Sequence, residues 1–481
     1  MLGDVIVYRN LIGGELRPAA DGRTLDSVNP ATGETWARIP RSGPAEAEAA
    51  VAAARAALPR WAAMPALGRA RYLRQVADLF TRHADELARL ETTDNGRVLR
   101  DTLHRDLPGM AFLWQLAAGQ VLDAVKGDTV LLGPDALGLT RREPYGVVAC
   151  VIPWNSPVST FSAKAAFALA AGNTVVVKPA EQASASVLRL AELLAEVFPP
   201  GVLNIVAGLG EEVGEALVGH RGVQKVSLTG STETALRITR TAGVKPMTFE
   251  LGGKSPVIVF DDADLDRAVD GVTVNSIYTG NAGQVCVAGS RILIHRPIWA
   301  ELIQRIAERA GKLVLGEPLD LATEMGPIVS REQYRRVVSY LELAEAEGAE
   351  RVFGGRYGAA VVEALPGGYW VEPALYTTTD NGLRICQEEI FGPVAVALPF
   401  DTEAEAVRLA NDSRYGLAAG VWTRDLGRAH RMIRDLEAGT VWVNTHRQMP
   451  PGLPFGGVKD SGYGHDAMIE YTREKAAIIQ I

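Results

Sequence analysis

The stretch VVACVIPWNSP, residues 147–157, opens a region in which short apolar runs alternate with helical patterns as far as Leu251. The runs TVVVK (174–178), VLNIV (202–206) and KVSLT (225–229) follow it in turn. Apolar residues fill these runs without a clear alternation of apolar and polar positions, which is typical of parallel strands that helices cover on both faces. The region therefore predicts a mainly parallel α/β sheet.

A second alternating region extends this pattern toward the C-terminus, from PVIVF at 256–260 to GTVWVN at 439–444. Residues 43–96 have helical periodicity, and residues 127–146 hold short β-prone pieces separated by a Gly-Pro pair. The latter composition predicts a projecting hairpin. We expect two α/β domains of similar size with an appended arm.

Composition limits the class of protein and its partners. The chain has 481 residues, 47% hydrophobic and 22% charged, with a formal net charge of −8. These values argue against disorder and a basic nucleic-acid surface. No stretch of the sequence approaches the ~20 apolar residues that span a bilayer. Three widely spaced cysteines and seven scattered histidines fit neither a disulfide framework nor the usual zinc patterns. We therefore expect a cytoplasmic protein without nucleic-acid or membrane partners and without a metal.

Polar and glycine-rich residues follow several predicted strands, where ligands bind in open α/β sheets. Gly208 begins a loop one residue longer than the usual dinucleotide-binding pattern. Gly230 and Ser231 open a helix, whose N–H groups favour phosphate, and Lys178 and Glu181 suit phosphate and ribose. Each feature alone also fits a tight turn, a plain N-cap or a surface ion pair. Together they favour a dinucleotide.

Three further side chains are candidates for catalysis. Cys286, in the segment TGNAGQVCVAGSR, is a candidate nucleophile, although a lone cysteine is also commonly a buried, inert thiol. Glu250 ends the run MTFE and can activate water, or it simply pairs with Lys254. Asn155 has an amide that can donate to a developing oxyanion, or that can form an Asx turn before Pro157.

Longer motifs occur together in one order along nearly the whole chain. They are PWNSP (153–157), KPAE (178–181), LTGST (228–232), FELGGKSP (249–256), GNAGQVCVAGSR (280–291), EEIFGPV (388–394) and PFGGVKDSGYG (454–464). In these motifs the chain resembles the aldehyde dehydrogenase superfamily. The resemblance implies a Rossmann-like cofactor domain, an α/β catalytic domain and a small β arm that pairs subunits.

The resemblance also implies domain boundaries and an assembly. Residues 1–125 and 145–251 would form the cofactor-binding domain, and residues 252–460 the catalytic domain. Residues 126–144 and 461–481 would form the oligomerisation arm of a homodimer or homotetramer, with the final AAIIQI as a strand able to extend a sheet edge.

Roles for individual residues follow from the same resemblance. Cys286 matches the nucleophile and Glu250 the general base, while Asn155 and the backbone N–H of Cys286 match the oxyanion hole. The cofactor positions are matched by Ile152, Trp154, Lys178, Glu181, Gly208, Gly230, Ser231, Leu251, Glu389 and Phe391.

The resemblance implies oxidation of an aldehyde to a carboxylic acid through a cysteine thiohemiacetal and thioester. Glu250 favours hydrolysis, because relatives that pass the acyl group to coenzyme A commonly lack this glutamate. Glu181 favours NAD, since a carboxylate near the adenosine ribose repels the 2′-phosphate of NADP. Some members accept both cofactors, so NADP use is also possible.

Departures from the family pattern bear on the substrate. Small residues occupy positions where several relatives have large aromatics, and apolar residues flank the thiol and the far wall; these are Ser156, Thr160, Ala163, Val285, Val287, Met449 and Phe455. We expect a wide tunnel and a bulky or aromatic aldehyde. Arg447 either binds an anionic or hydroxylated substrate tail or is an interface cation, and we favour the interface slightly.

His465 and Asp466 replace the arginine and glutamate that are usual after SGxG, a departure that we expect to affect subunit contacts rather than chemistry. Two other functions stay open at this point. A cysteine, a glutamate and an oxyanion donor also suffice for a cofactor-independent thioester or ester hydrolase. A non-catalytic protein on the same fold is the third possibility, although such a protein would be expected to lose the thiol.

Overall fold

A computed structural model describes residues 5–450 and 452–480. The first four residues, Pro451 and Ile481 lie outside the described residues. They include both ends of the domain scheme and the last residue of AAIIQI.

The strands, in chain order, are β1 (Ile6–Val7), β2 (Asn10–Ile12), β3 (Glu15–Arg17), β4 (Thr24–Asn29), β5 (Glu34–Pro40), β6 (Thr129–Gly133), β7 (Ala136–Pro144), β8 (Val147–Ile152), β9 (Thr174–Pro179), β10 (Leu203–Ile205), β11 (Lys225–Thr229), β12 (Met247–Glu250), β13 (Pro256–Val259), β14 (Arg291–His295), β15 (Glu350–Gly354), β16 (Ala374–Thr377), β17 (Val394–Phe400), β18 (Tyr415–Gly416), β19 (Ala418–Trp422), β20 (Thr440–Val443), β21 (Val458–Lys459), β22 (Gly462–Tyr463) and β23 (Thr472–Gln480).

The α-helices are α1 (Pro44–Ala63), α2 (Ala66–Arg82), α3 (Ala84–Asn95), α4 (Leu99–Asp101), α5 (Leu107–Gly119), α6 (Pro157–Ala170), α7 (Ala185–Leu194), α8 (Glu215–Gly219), α9 (Thr232–Ala242), α10 (Leu265–Val272), α11 (Trp299–Ala310), α12 (Arg331–Ala346), α13 (Arg384–Gln387), α14 (Glu403–Asn411) and α15 (Leu426–Asp435). Short π-helical turns lie at Thr102–Asp106, Gly210–Gly214 and Val274–Tyr278, and 3-10 turns at Asp123–Val125, Arg296–Ile298 and Met468–Tyr471.

The first sheet has eight strands in the order β22-β12-β11-β8-β9-β10-β2-β3. The strands from β12 to β10 are parallel, and β22 and β2 add to them antiparallel. Because every residue of the run 174–179 is buried, this sheet is covered on both faces, as its unalternated apolar sequence predicts. The helix expected near Glu211 begins with the π-helical turn before α8.

The second sheet has seven strands in the order β15-β16-β17-β14-β13-β19-β20. All neighbours are parallel except β15, which pairs antiparallel with β16. Both predicted α/β regions are therefore present, and the α/β fold class is confirmed. The exact domain division remains a prediction.

The predicted hairpin is β6 and β7, and β23 joins it along its length to make a three-stranded antiparallel sheet. The C-terminal strand thus pairs with its own chain's hairpin. Leu131 and Ile478 of this arm are 82% and 75% exposed, which is a large exposure for apolar side chains. Within residues 5–450 and 452–480, the helices are too short or too polar to cross a membrane.

Candidate active site

The candidate site lies where the carboxyl ends of β8, β9, β11 and β12 face residues 279–290, the loop before β14. The rings of Trp154, after β8, and Phe391, before β17, meet edge to face with centroids 5.2 Å apart. A pocket nearby is lined in part by Gly253, Val285, Glu389 and Phe391. Residues from both large sheets therefore meet at this position.

The loop that carries Cys286 is fixed mainly by Gln284. The Gln284 amide nitrogen donates to the carbonyls of Asn281, at 2.9 Å, and Pro327, at 3.2 Å. Its amide oxygen accepts from the backbone N–H of Val329 at 2.9 Å. Buried amides that are satisfied on both sides hold a loop in one conformation. The sulfur of Cys286 therefore sits on a preorganised turn.

Asn155 lies against this loop. Its side-chain nitrogen donates to the Gln284 carbonyl at 3.0 Å, and its own carbonyl accepts from the side chain of Asn281 at 2.9 Å. An amide NH₂ has two protons, so this bond occupies one and leaves the other for a second acceptor. The structure thus brings Asn155 to the segment that holds Cys286, as the sequence predicts.

The Cys286 thiol is partly exposed but strongly desolvated. Burial, followed by the nearby charges of Glu250 and Glu389, raises the pKa of this thiol to about 12. The thiol is therefore protonated at rest, and its reaction requires transfer of the proton to a base. Cys150 and Cys386 are fully buried, and burial raises their pKa values to about 12 and about 11, consistent with inert thiols.

Glu250 ends β12 and is 7% exposed. One carboxylate oxygen accepts from the Thr229 hydroxyl at 3.3 Å, while the other is buried without a hydrogen-bond partner among the described residues. Burial, followed by the charge of Asp466, raises the pKa of Glu250 well above its usual value. A raised pKa makes the ionised carboxylate a stronger base toward water.

Asp466 and Lys164 are part of this site, and sequence reasoning missed them. The Lys164 ammonium, 0% exposed, lies 3.2 Å from the Asp466 carboxylate and 3.1 Å from the Ser227 hydroxyl. The charge of Asp466 is, after burial, the next cause of the raised pKa of Glu250. The structure therefore places the departure at position 466 beside Glu250, whereas we expected it to affect subunit contacts rather than chemistry. The sequence signal that could have pointed to Asp466 was its departure from the family pattern after SGxG.

Lys178 and Glu181 follow β9 as an ion pair, with the ammonium 2.9 Å from the carboxylate. Lys178 is 3% exposed, so this is not a surface pair. Burial opposes ionisation of Glu181, but the charge of Lys178 and the hydrogen bonds to the carboxylate together outweigh it and lower the carboxyl pKa. An ionised carboxylate is thus fixed at the sheet edge, where it can accept ribose hydroxyls.

Gly208 has φ of +150°, and a Cβ there would lie 2.8 Å from the Ser42 carbonyl oxygen, so only glycine fits. The Gly230 N–H donates to the Glu250 carbonyl at 3.0 Å and is not free for a phosphate. Ser231 is the N-cap of α9, with its hydroxyl accepting from Thr234 N–H at 3.1 Å. The predicted cap is present, but the donor cluster is smaller than expected.

Glu389 lies against the turn after Glu250. Its carboxylate accepts from Gly253 N–H at 2.9 Å, and a Cβ on Gly252 would be 2.3 Å from its other oxygen. Burial raises the pKa of Glu389 to about 7. Leu251 donates to the Ser461 carbonyl at 3.0 Å, which joins the same turn to the C-terminal segment. Ile152, the last residue of β8, pairs with Pro179.

The residues expected around the substrate differ in how much of each side chain is exposed to solvent. Val287 is fully buried, with Val285 and Phe455 packed on the same cluster, whereas Met449 is 51% exposed. Ser156, Thr160 and Ala163 are half-buried near the start of α6. Among the residues that the structure describes, no three His, Cys, Asp or Glu side chains cluster as metal ligands.

Comparison with known proteins was made at the levels of family, sequence and structure. Residues 17–478 match the aldehyde dehydrogenase family. The chain is 41% identical to a betaine aldehyde dehydrogenase of Mesorhizobium japonicum over 98% of this chain and 96% of that protein. The crystal structure of a putative aldehyde dehydrogenase from Burkholderia cenocepacia superimposes with a TM-score of 0.95, 40% identity and coverage of 98% and 97%. The structure of a mutant indole-3-acetaldehyde dehydrogenase of P. syringae, in complex with NAD+ and IAA, superimposes with a TM-score of 0.95 and 39% identity. The match covers 99% of this chain and 97% of that chain.

Proposed function

This chain belongs to the aldehyde dehydrogenase family and is an oxidoreductase, and we propose that it oxidises a bulky or aromatic aldehyde to the carboxylic acid with NAD. The observation that carries the site assignment is the convergence of Asn155, Glu250 and Cys286. The Asn155 side chain donates to the Gln284 carbonyl at 3.0 Å, two residues before the thiol. The charge of Glu250 is, after burial, the next cause of the raised pKa of the thiol.

The first step is attack of the Cys286 sulfur on the aldehyde carbonyl carbon. The thiol gives up its proton, for which Glu250 is the acceptor at hand, and the carbonyl oxygen becomes an oxyanion. The second Asn155 N–H and the backbone N–H of Cys286 would donate to this oxyanion. Such donors typically contribute roughly a hundredfold or more in rate.

The residues present fit a bound dinucleotide. Gly208 lacks the side chain that would block the loop, the Lys178–Glu181 pair offers a cation and a ribose acceptor, and Trp154 and Phe391 border the pocket beside Cys286. When bound, NAD supplies the acceptor for the aldehyde hydride. The carboxylate of Glu181 supports NAD rather than NADP, because it repels a 2′-phosphate.

The remaining thioester must be hydrolysed. Glu250 is the base for this step: once it has released the thiol proton to solvent, its raised pKa makes the ionised carboxylate a stronger base toward water. The Asp466 carboxylate and the Lys164 ammonium lie behind it as the adjacent charged groups. Hydrolysis gives the carboxylic acid and regenerates the thiol.

A bulky substrate is supported by the small side chains of Ser156, Thr160 and Ala163 at the start of α6. We also propose that the arm of β6, β7 and β23 joins subunits into a homodimer or homotetramer, since its exposed apolar residues would then be covered. Three unpaired thiols support a reducing, cytoplasmic setting.

The test is NADH formation at 340 nm with a panel of neutral aromatic and small aliphatic aldehydes. We expect the aromatic aldehydes to give the higher kcat/KM. The variant Cys286→Ala should form no NADH. Glu250→Gln, which lacks the proton acceptor of both steps, should form NADH slowly and stop at about one per site as the thioester accumulates. Hydrolysis of activated esters without any cofactor-dependent absorbance would instead favour the cofactor-independent hydrolase.

A further inference from the structure

Arg447 lies in a loop that is anchored on both sides. The ring of His446 donates from Nε2 to the Val287 carbonyl at 3.0 Å, and Val287 directly follows the nucleophile. The Trp442 indole N–H donates to the Gln448 carbonyl at 2.7 Å. Between these anchors Arg447 has φ of +56°, a conformation that non-glycine residues adopt infrequently. The backbone is therefore held so that this side chain occupies one place beside the Cys286 loop.

The segment 97–106 forms the facing wall. A Cβ on Gly280, six residues before Cys286, would lie 2.6 Å from an Asp101 carboxylate oxygen. Two residues before this segment, the Asn95 amide donates to the Trp154 carbonyl at 3.4 Å. This wall thus borders both the nucleophile loop and the turn that carries Asn155.

The carboxylates of this wall are already paired with other arginines. Asp106 lies 2.5 Å from Arg97, and Asp101 lies 3.5 Å from Arg105. Asp101 also lies 3.6 Å from Arg100. The buried Glu91 offers no further charge, because burial raises its carboxyl pKa to about 8.

Arg447 has no hydrogen bond or ion pair among the residues that the structure describes. It is only partly exposed. Burial, and then the charges of Arg97 and Arg105, lowers the pKa of its guanidinium to about 10, although the charges of Asp101 and Asp106 oppose this shift. The guanidinium therefore remains charged at neutral pH. A desolvated guanidinium that makes no direct ion pair is costly unless an anion completes it.

We propose that Arg447 is a specificity-determining residue that binds a carboxylate at the far end of the aldehyde. The preferred substrate is then a bulky or aromatic aldehyde with an anionic tail; this inference rests on the proposed function. The planar guanidinium suits a carboxylate because it can make two parallel hydrogen bonds. The same charge disfavours a quaternary ammonium aldehyde, although betaine aldehyde dehydrogenases are among the relatives.

The test compares kcat/KM for 4-carboxybenzaldehyde, 4-methylbenzaldehyde and betaine aldehyde, with NAD saturating. We expect the wild-type protein to prefer the carboxylated aldehyde. In Arg447→Gln the ratio of carboxylated to methylated kcat/KM should fall about 10- to 100-fold, the range for a lost charged hydrogen bond. Arg447→Lys keeps the charge but lacks the planar guanidinium that makes two parallel hydrogen bonds, and it should give an intermediate ratio.

Arg296→Gln is the matched control, because Arg296 is exposed and paired with Asp401 away from this loop. Its ratio should equal that of the wild-type protein. An unchanged ratio in Arg447→Gln, or a wild-type preference for the methylated or the betaine aldehyde, would overturn the inference while leaving the proposed function intact. Absence of NADH formation with every aldehyde would overturn the proposed function and this inference with it. The wild-type ratio decides the matter even if a variant fails to fold.

Discussion

Replacing Asp466 by asparagine should move the pH dependence of acyl-enzyme hydrolysis to lower pH. After burial, the negative charge of Asp466 is the largest cause of the raised pKa of Glu250. The substitution removes that negative charge but leaves the Lys164 ammonium, which lies 3.2 Å from the Asp466 carboxylate in the native protein. Both consequences stabilise the ionised form of Glu250, so its pKa falls.

The size of the shift follows from the charge that is removed. Two unit charges about 4 Å apart interact by about 4 kcal/mol at an effective dielectric constant of about 20. At about 1.4 kcal/mol per pH unit this is an upper bound of roughly 3 units. Relaxation of the structure around an unpaired Lys164 makes the shift smaller than this bound. We expect the rise of the pH–rate profile to move by about 1 to 2 pH units.

The assay is the pH–rate profile of turnover under conditions where breakdown of the acyl-enzyme is limiting, for example with 4-nitrophenyl acetate. A base works in its ionised form, so the rate rises with pH through the pKa of Glu250, and a lower pKa moves this rise to lower pH. Asp466→Glu should keep the wild-type limb. Asp460→Asn, at an exposed pair with Arg414, is the control. A limb that stays in place or moves upward in Asp466→Asn refutes the reasoning.

Three further predictions concern binding and positioning. Asn155→Ala should lower kcat by about 100-fold or more while thermal denaturation shifts little, since one bond to Gln284 is lost but the oxyanion loses a donor; equal losses in kcat and in folded fraction would argue for a purely structural role. Glu181→Gln should raise kcat/KM for NADP relative to NAD, measured at 340 nm, because the repelling charge is gone; an unchanged ratio would place the ribose elsewhere. His446→Phe should slow iodoacetamide labelling of Cys286 and lower kcat about tenfold, whereas His446→Gln, able to donate to Val287, should recover most of both.

The strands and the order of chemistry along the chain were predictable because they depend on local patterns. Unalternated apolar runs marked β8 to β12, and the residues after each strand are at one sheet edge by the geometry of parallel strands. The position of Asn155 beside the Cys286 loop also agrees with the resemblance, although a partner 129 residues away has no local signature.

The other features of the site could not be predicted, because they depend on contacts between residues that are far apart in the sequence. Lys164 and Asp466 are 302 residues apart, so no spacing could show that they meet behind Glu250. The protonated state of Cys286 depends on burial and on two carboxylates brought from different strands and loops, which composition does not encode. Gly230 was expected to offer a free N–H, but the neighbouring strand's carbonyl takes it.

The two-residue strand β22 gives biosynthesis of this protein a definite order. Residues 462–463 complete the sheet on the outer side of β12, about 210 residues after the strand that ends in Glu250 has been made. Until then a nascent chain leaves that strand with an open edge, a feature that invites wrong pairing. The ribosome must therefore make the chain as far as residue 463 before this edge beside Glu250 is closed.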